Sequence, residues 1–261
     1  MLGLRRLLLR WHARKGRLVV LPSVHSPQLD NQRDLFVYLP PTSRRTRHPV
    51  IYMQDGQNLF DPAMSFAGTW AVDEALRWAS RRGLDAVVVG IPNMGDARLA
   101  EYDPFRGTGD RYLDFVTHTV KPLVDARFPT LPDRNHTGIA GSSMGGLISL
   151  YAFFQYPEVF GIAAALSPSL WFADGALLDL VARTPKVPGG GRLYLDVGMR
   201  EGEQTLALGR RLRDLLLAKG YEAGRDFRWG EDQDGVHHES AWGRRFRAAL
   251  PFLLREPGGA P

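Results

Sequence analysis

The feature that most constrains the fold of this chain is a G-x-S-x-G motif at residues 141–145 (GSSMG). The residues before it, 137–140 (TGIA), are typical of a short strand, and residues 146–154 continue as an apolar helix. A serine on a sharp turn between a strand and a helix presents its hydroxyl clear of the backbone, above the N-terminus of the helix. In this context the motif predicts a nucleophilic serine at position 143.

Segments typical of strands and of helices alternate along most of the chain, which predicts an α/β fold with a mostly parallel sheet and helices on both faces. The predicted strands are residues 50–53, 86–91, 137–140, 162–166, 192–197 and 226–229. The predicted helices are residues 70–81, 110–127, 144–155, 203–219 and 240–254. Upstream, residues 17–21 and 34–39 are rich in strand formers on either side of a polar turn at 27–33, so we expect an N-terminal antiparallel pair.

The length of 261 residues suits one α/β domain. We expect a basic N-terminal arm at residues 1–16, a catalytic domain at 17–254 and a flexible tail at 255–261. The stretch 167–190 is the only insertion long enough for a partial lid, so no large cap domain is expected.

Composition excludes several classes of protein. The chain has no cysteine, which excludes disulfides, thiolate nucleophiles and cysteine-ligated zinc. The net charge of +5 comes mostly from arginines spread along the chain. Without a nucleic-acid-binding motif they indicate a solvated surface, so no nucleic-acid partner is expected. The N-terminus lacks a signal-peptide pattern and no segment is apolar for the roughly 20 residues of a membrane span, so we expect a cytoplasmic protein without one.

A serine nucleophile needs a base to take its proton and a carboxylate to orient that base. In α/β-hydrolases the three residues follow the order Ser, acid, His, on loops after strands. The loop at 198–203 offers Glu201 and Glu203, of which Glu203 suits the first turn of the following helix. The loop at 232–239 offers His237 and His238; since adjacent side chains point differently, only one should face Ser143, and the other caps the next helix or bonds locally.

The oxyanion hole requires two backbone N–H groups. Met144 supplies the first, and Gln57, in the loop after an early strand, is the candidate for the second, with Gly56 permitting close approach. The nearby acidic residues lack the spacing of a calcium loop, so no metal and no cofactor are expected. Four residues in segments at strand ends are candidates for substrate contact: Trp70, Arg98, Tyr102 and Trp171. For each of them, packing in the core or at the rim is the alternative. For the arginine, an ion pair is a further alternative.

Several separated motifs carry a resemblance to a known family. They are residues 26–29, 37–41, 52–61, Arg98 with 101–102, 141–146, 167–171, 196–198 with Glu201, and 237–239 with Trp242. With these motifs the chain resembles the putative esterase family of α/β-hydrolases. That family includes enterochelin esterases, feruloyl and acetylxylan esterases and esterase-D-like enzymes, and is related to the mycolyltransferases.

The resemblance implies an α/β-hydrolase fold with Ser143 as nucleophile and the N–H groups of Met144 and Gln57 as oxyanion donors. Family members have the acid three residues after a glycine that ends a strand, which selects Glu201. They also read His-Asn-Glu-x-x-Trp near the C-terminus, which selects His237; here His238 replaces the asparagine.

The expected function is a serine carboxylic ester hydrolase acting on a small-molecule ester through an acyl-serine. An acyltransferase with the same nucleophile and a non-catalytic binding protein of the same fold are the alternatives. The natural ester and the oligomeric state stay open.

Overall fold

A computed structural model describes residues 16–65, 68–187 and 191–255. Apart from Gly16 and Arg255, the expected N-terminal arm and C-terminal tail lie outside the described residues. The strands within these ranges are β1 (Arg17–Ser26), β2 (Asn31–Leu39), β3 (Val50–Gln54), β4 (Val87–Ile91), β5 (Thr137–Ser142), β6 (Ile162–Leu166), β7 (Arg192–Gly198) and β8 (Phe227–Asp232). The α-helices are α1 (Val72–Ser80), α2 (Arg98–Glu101), α3 (Gly109–Asp114), α4 (Lys121–Arg127), α5 (Met144–Gln155), α6 (Ala176–Arg183), α7 (Glu203–Ala218) and α8 (Glu239–Leu253).

The strands form one sheet in the order β1-β2-β4-β3-β5-β6-β7-β8. Strand β2 is antiparallel to both β1 and β4, whereas β3 to β8 are mutually parallel. The predicted mostly parallel sheet with an N-terminal antiparallel pair is therefore confirmed. Because parallel strands end at one edge, the loops after β3, β5, β6, β7 and β8 meet there.

The sheet separates two hydrophobic cores, as alternation along β3 illustrates. Val50 and Tyr52 belong to one core, and Ile51 and Met53 belong to the other. Helices α3 to α7 contribute to the first core, and α1 and α8 cover the second face. The prediction of helices on both faces is confirmed.

Some boundaries differ from the prediction. The N-terminal pair continues to Ser26 and Asn31, so the turn is shorter than expected. The polar residues Asn31 and Arg33 were read as turn residues, but both bind the buried carboxylate of Glu101, with Arg33 Nη2 at 2.8 Å from it. These two polar side chains therefore face a buried acid, although both lie in a segment that the sequence indicated as a turn.

The predicted helix 110–127 is divided by a π-helical segment, Phe115–Val120, between α3 and α4. Two features interrupt the regular hydrogen-bond pattern there. Thr117 Oγ1 donates to the carbonyl oxygen of Leu113 at 2.8 Å, and Pro122 has no N–H to offer the preceding turn.

The segment between β6 and β7 holds one short α-helix, α6, within its described part, residues 167–187. This agrees with the expectation of no large cap domain. None of the helices in the described ranges combines the length and hydropathy that crossing a lipid bilayer requires.

Candidate active site

Ser143 lies between the end of β5 and the start of α5, with φ 55° and ψ −124°. A positive φ is costly for a residue other than glycine and requires support from the surroundings. The glycines on either side of Ser143 leave room for this conformation. Their backbones approach so closely that a Cβ atom added to Gly141 would come within 2.6 Å of the carbonyl carbon of Gly145. Only glycine at position 141 allows the backbone to turn this sharply, and the turn has the geometry that the motif predicted.

The hydroxyl of Ser143 faces an imidazole. Its Oγ atom lies 3.0 Å from Nε2 of His237, which follows β8. On the other side of the ring, Nδ1 lies 2.8 Å from Oε2 of Glu201, which follows β7. Both distances are within the range of proton transfer. The structure thus brings together a hydroxyl, an imidazole and a carboxylate that lie far apart in the sequence.

The carboxylate of Glu201 is almost completely buried, with a side-chain exposure of 1%. Its Oε1 atom accepts hydrogen bonds from Ser167 Oγ at 2.6 Å, Gly198 N at 3.0 Å and Arg245 Nη2 at 3.2 Å. Burial raises the pKa of Glu201, but its hydrogen bonds to His237 and Ser167 and the charge of Arg245 outweigh burial and lower that pKa. The carboxylate is therefore ionised near neutral pH and acts as a hydrogen-bond acceptor.

The two adjacent histidines have different contacts. The ring of His237 packs edge-on against Trp242, with centroids 4.8 Å apart. His238 is the N-cap residue of α8, and its Nδ1 accepts a hydrogen bond from Ser240 N at 3.2 Å. Glu203, the other acidic candidate, is the exposed first residue of α7. One histidine therefore faces Ser143 and the other caps the next helix.

The two candidate oxyanion donors lie on adjoining elements. Gln57 is in the 3₁₀ turn after β3, and Met144 is the first residue of α5. N–H groups at the start of a helix have no intrahelical acceptor, so these two are available to a ligand. The end of β3 and the residue before the turn lie close to α5, because a Cβ atom on Gly145 would lie 3.0 Å from Cβ of Gln54 and 3.4 Å from Oδ2 of Asp55.

The loop that carries Gln57 is held through Asp55, which has a φ of 54°. Its carboxylate accepts hydrogen bonds from Arg98 Nε at 2.7 Å, Arg98 Nη2 at 2.9 Å and Asn93 Nδ2 at 2.6 Å. Its N–H donates to the hydroxyl of Tyr102 at 3.1 Å. The predicted substrate-binding residue Arg98 therefore forms an ion pair that anchors this loop, and 30% of its side chain stays exposed.

The other candidates for substrate contact lie at different depths. Trp70 is 5% exposed and packs against Trp242 and Phe246, and Tyr102 is fully buried. Both are core residues, which is the alternative that the sequence analysis gave beside substrate contact. Their apolar rings gain more by packing behind the site than by facing solvent. Trp171 is 54% exposed, two residues beyond Ser169, whose Oγ lies 3.2 Å from Ser143 Oγ.

Sequence reasoning did not assign roles to Ser167, Ser169 and Arg245. The two serines belong to a motif already noted after the fourth parallel strand, and that strand-end position was the available signal. Arg245 is one of the arginines that the sequence analysis assigned to a solvated surface. Its spacing of three residues from Trp242, on one face of α8, was a sign of burial.

Among the described residues, no group of three or more histidine, aspartate, glutamate or cysteine side chains is arranged to hold a metal ion.

A family model described as Putative esterase matches residues 26–253. An uncharacterized protein of Bacillus subtilis, YbbA, is 27% identical over 249 residues, covering 85% of this chain and 92% of that protein. The siderophore triacetylfusarinine C esterase of Aspergillus fumigatus is 36% identical over 142 residues, covering 50% of this chain and 47% of the esterase.

Among solved structures, the enterobactin esterase of Shigella flexneri superimposes with a TM-score of 0.70 at 22% identity, covering 90% of this chain and 58% of that one. A likeness at this identity shows a shared fold, the α/β-hydrolase fold that the sequence predicted. The chain spans about half the length of the two named esterases.

Proposed function

The chain belongs to the Putative esterase family of ester hydrolases, and from this premise we propose that it cleaves carboxylic esters through an acyl-serine intermediate on Ser143. The observation that carries the proposal is the pair of contacts on His237. Nε2 lies 3.0 Å from the hydroxyl of Ser143, and Nδ1 lies 2.8 Å from the carboxylate of Glu201.

In the first half of the reaction, Glu201 fixes the tautomer of His237. An ionised carboxylate only accepts hydrogen bonds, so the proton of the neutral imidazole sits on Nδ1 and the lone pair of Nε2 is free. Nε2 takes the proton of Ser143 as Oγ attacks the ester carbonyl. The negative charge on the carbonyl oxygen is met by the N–H groups of Gln57 and Met144, each worth roughly 3–4 kcal/mol in the transition state. His237 then protonates the departing alkoxide.

In the second half, water replaces the alcohol. His237 takes a proton from water as the water oxygen attacks the acyl carbonyl. The tetrahedral intermediate collapses with the proton returned to Ser143 Oγ and the carboxylic acid released. Glu201 stabilises the imidazolium cation in both halves.

Exposure favours hydrolysis over transfer to another acceptor. The side chain of His237 is 47% exposed, so water reaches the base directly. Trp171 presents an exposed indole nearby and offers a wall for the acyl or alcohol group. We propose a small-molecule ester as substrate. Siderophore esters belong in the first substrate screen together with acetyl and feruloyl esters, because two of the similar proteins are named as a siderophore triacetylfusarinine C esterase and an enterobactin esterase.

The test is Ser143→Ala, assayed with p-nitrophenyl acetate and with a fluorophosphonate probe. We expect kcat to fall by roughly 10⁴- to 10⁶-fold and the probe label to disappear, because the nucleophile is gone. Ser142→Ala is the matched control, since it removes the neighbouring hydroxyl and leaves Ser143 in place. Full activity or full labelling of Ser143→Ala would refute the proposal.

A further inference from the structure

The hydroxyl of Ser167 lies behind the candidate site and takes no part in the reaction proposed above. Ser167 follows β6, is 1% exposed and has a φ of 45°. Its Oγ atom lies 2.6 Å from Oε1 of Glu201, 2.9 Å from Nη2 of Arg245 and 3.2 Å from Nε1 of Trp242.

The identity of these partners fixes the direction of each hydrogen bond. Indole and guanidinium N–H groups are donors only, and a hydroxyl has one hydrogen and two acceptor lone pairs. Trp242 and Arg245 therefore occupy both lone pairs of Ser167. The single hydrogen of Ser167 is left with Glu201 as its acceptor.

The same reasoning fixes the orientation of the carboxylate. Oε1 of Glu201 accepts from Ser167, Gly198 and Arg245, so three donors surround that oxygen. Oε2 is left to accept from Nδ1 of His237. Rotation of the carboxylate would break four hydrogen bonds at once.

We propose that Ser167 is a positioning residue, which together with Trp242 and Arg245 keeps Glu201 ionised and directed at His237 without touching the substrate. This inference rests on the proposed function, in which Glu201 orients the base. Trp242 connects the two halves of the arrangement, because its indole donates to Ser167 and its ring packs edge-on against His237.

The surrounding charges decide which variants are informative. Arg245 is also 3.0 Å from the fully buried carboxylate of Asp196 and 3.9 Å from that of Asp232. Tyr194 donates to Asp196, and Arg244 pairs with Asp232. Replacing Arg245 would leave buried carboxylates without their cation and would endanger folding. The test therefore uses Ser167 and Trp242, which are uncharged.

The decisive variant is Ser167→Gly. Glycine favours the positive φ at this position, and this gain offsets part of the cost of leaving the buried Trp242 and Arg245 donors without the Ser167 acceptor, so we expect a folded protein with a modestly lower Tm. With p-nitrophenyl acetate, kcat should fall about tenfold to a hundredfold with KM unchanged. The acid limb of the kcat/KM profile should move to higher pH, because losing a donor to the carboxylate increases the proton affinity of the Glu201–His237 pair.

Trp242→Phe gives a graded second test. Phenylalanine keeps an aromatic ring against His237 and removes only the N–H donor. We expect a smaller fall in kcat and a smaller shift of the acid limb than for Ser167→Gly, because Ser167 keeps its hydrogen but loses one partner that orients it. Ser26→Ala is the control for loss of a buried serine hydroxyl, because Ser26 lies in β1 and its Oγ accepts from Leu29 N at 3.2 Å.

Fluorophosphonate labelling separates the possible failures. If the wild type labels and Ser167→Gly labels and turns over equally fast with the same pH profile, the positioning role is overturned and the proposed function stands. A loss of kcat with an unmoved acid limb also overturns it, since that indicates a packing defect. If the wild type does not label at all, the proposed function falls and this inference falls with it.

Discussion

The two sides of the candidate site are supported in different ways. On the acid side, Glu201 and Arg245 have side-chain exposures of 1% and 5%. On the oxyanion side, the ion pair of Asp55 and Arg98 that holds the Gln57 loop is 10% and 30% exposed. The first set of contacts is enclosed by strand ends and α8, whereas the second lies at the solvent edge.

This difference in burial predicts whether a substitution on each side changes catalysis, stability or both. Electrostatic interactions strengthen as water is excluded, so the acid-side contacts hold one geometry firmly, and breaking one of them leaves a buried polar group unsatisfied. The oxyanion-side ion pair is partly screened by solvent. Changes on the acid side should therefore affect both catalysis and stability, and changes on the oxyanion side should affect mainly catalysis.

Of the changes that test this comparison, Glu201→Gln has the largest expected effect, because it replaces the buried carboxylate with an amide of the same shape. The amide oxygen must accept from Ser167 and Arg245, so its NH₂ group faces His237 and forces the proton onto Nε2. With the wrong tautomer the imidazole no longer accepts the proton of Ser143, and kcat should fall by roughly 10⁴-fold in p-nitrophenyl acetate hydrolysis.

The matched control is Glu203→Gln, two residues along the same loop. Glu203 is exposed at the start of α7, so this change should leave kcat unaltered. Equal losses in the two variants would contradict the assignment of Glu201.

A smaller effect is expected from Arg98→Met on the oxyanion side. Without Arg98, the Asp55 carboxylate loses the two hydrogen bonds from the guanidinium group, and the loop that carries Gln57 is free to shift. Removal of one oxyanion donor costs about 10²- to 10³-fold in kcat, so a displaced donor should cost about tenfold to a hundredfold. KM should change little if Arg98 acts as an anchor, and should rise if it binds the substrate.

Arg106→Met is the control for this change. It breaks the exposed ion pair of Arg106 with Asp174, whose side chains are 68% and 91% exposed, and should alter neither kcat nor KM. Steady-state kinetics of both variants, with Tm measured alongside, tests the comparison directly. A large fall in Tm for Arg98→Met would remove the distinction between the two sides.

Much of the fold could be predicted because its signals are local. Alternating strands and helices indicated a parallel sheet, and the small residues at positions 141 and 145 indicated the sharp turn at Ser143. The π-helical segment at Phe115–Val120 was missed, because it depends on a threonine and a proline acting within an otherwise ordinary helical pattern. The structural place of Arg33 was missed because its partner, Glu101, lies 68 residues away.

The same reason separates the predicted parts of the site from the missed ones. The order of Ser143, Glu201 and His237 along the strand ends was enough to place them at one edge of the sheet. Depth below that edge is set by tertiary packing, which is why the sequence left open whether Trp70 and Tyr102 contact substrate or pack in the core, where the structure places them. Arg98 could be placed near the site, but its pairing with Asp55 required the folded chain.

The smallest expected effect concerns His238, which caps α8 on the acid side. His238→Ala removes the acceptor for Ser240 N–H, and loss of a helix N-cap typically costs about 1 kcal/mol of unfolding free energy. His238→Asn should restore that stability, because asparagine is a strong N-cap and stands at this position in the family motif. Since α8 also carries Trp242 and Arg245, a frayed first turn would loosen the acid-side contacts and reduce kcat slightly in the alanine variant alone. Denaturant unfolding and kcat measured on both variants check this, and an alanine variant with wild-type stability would show that the cap contributes nothing.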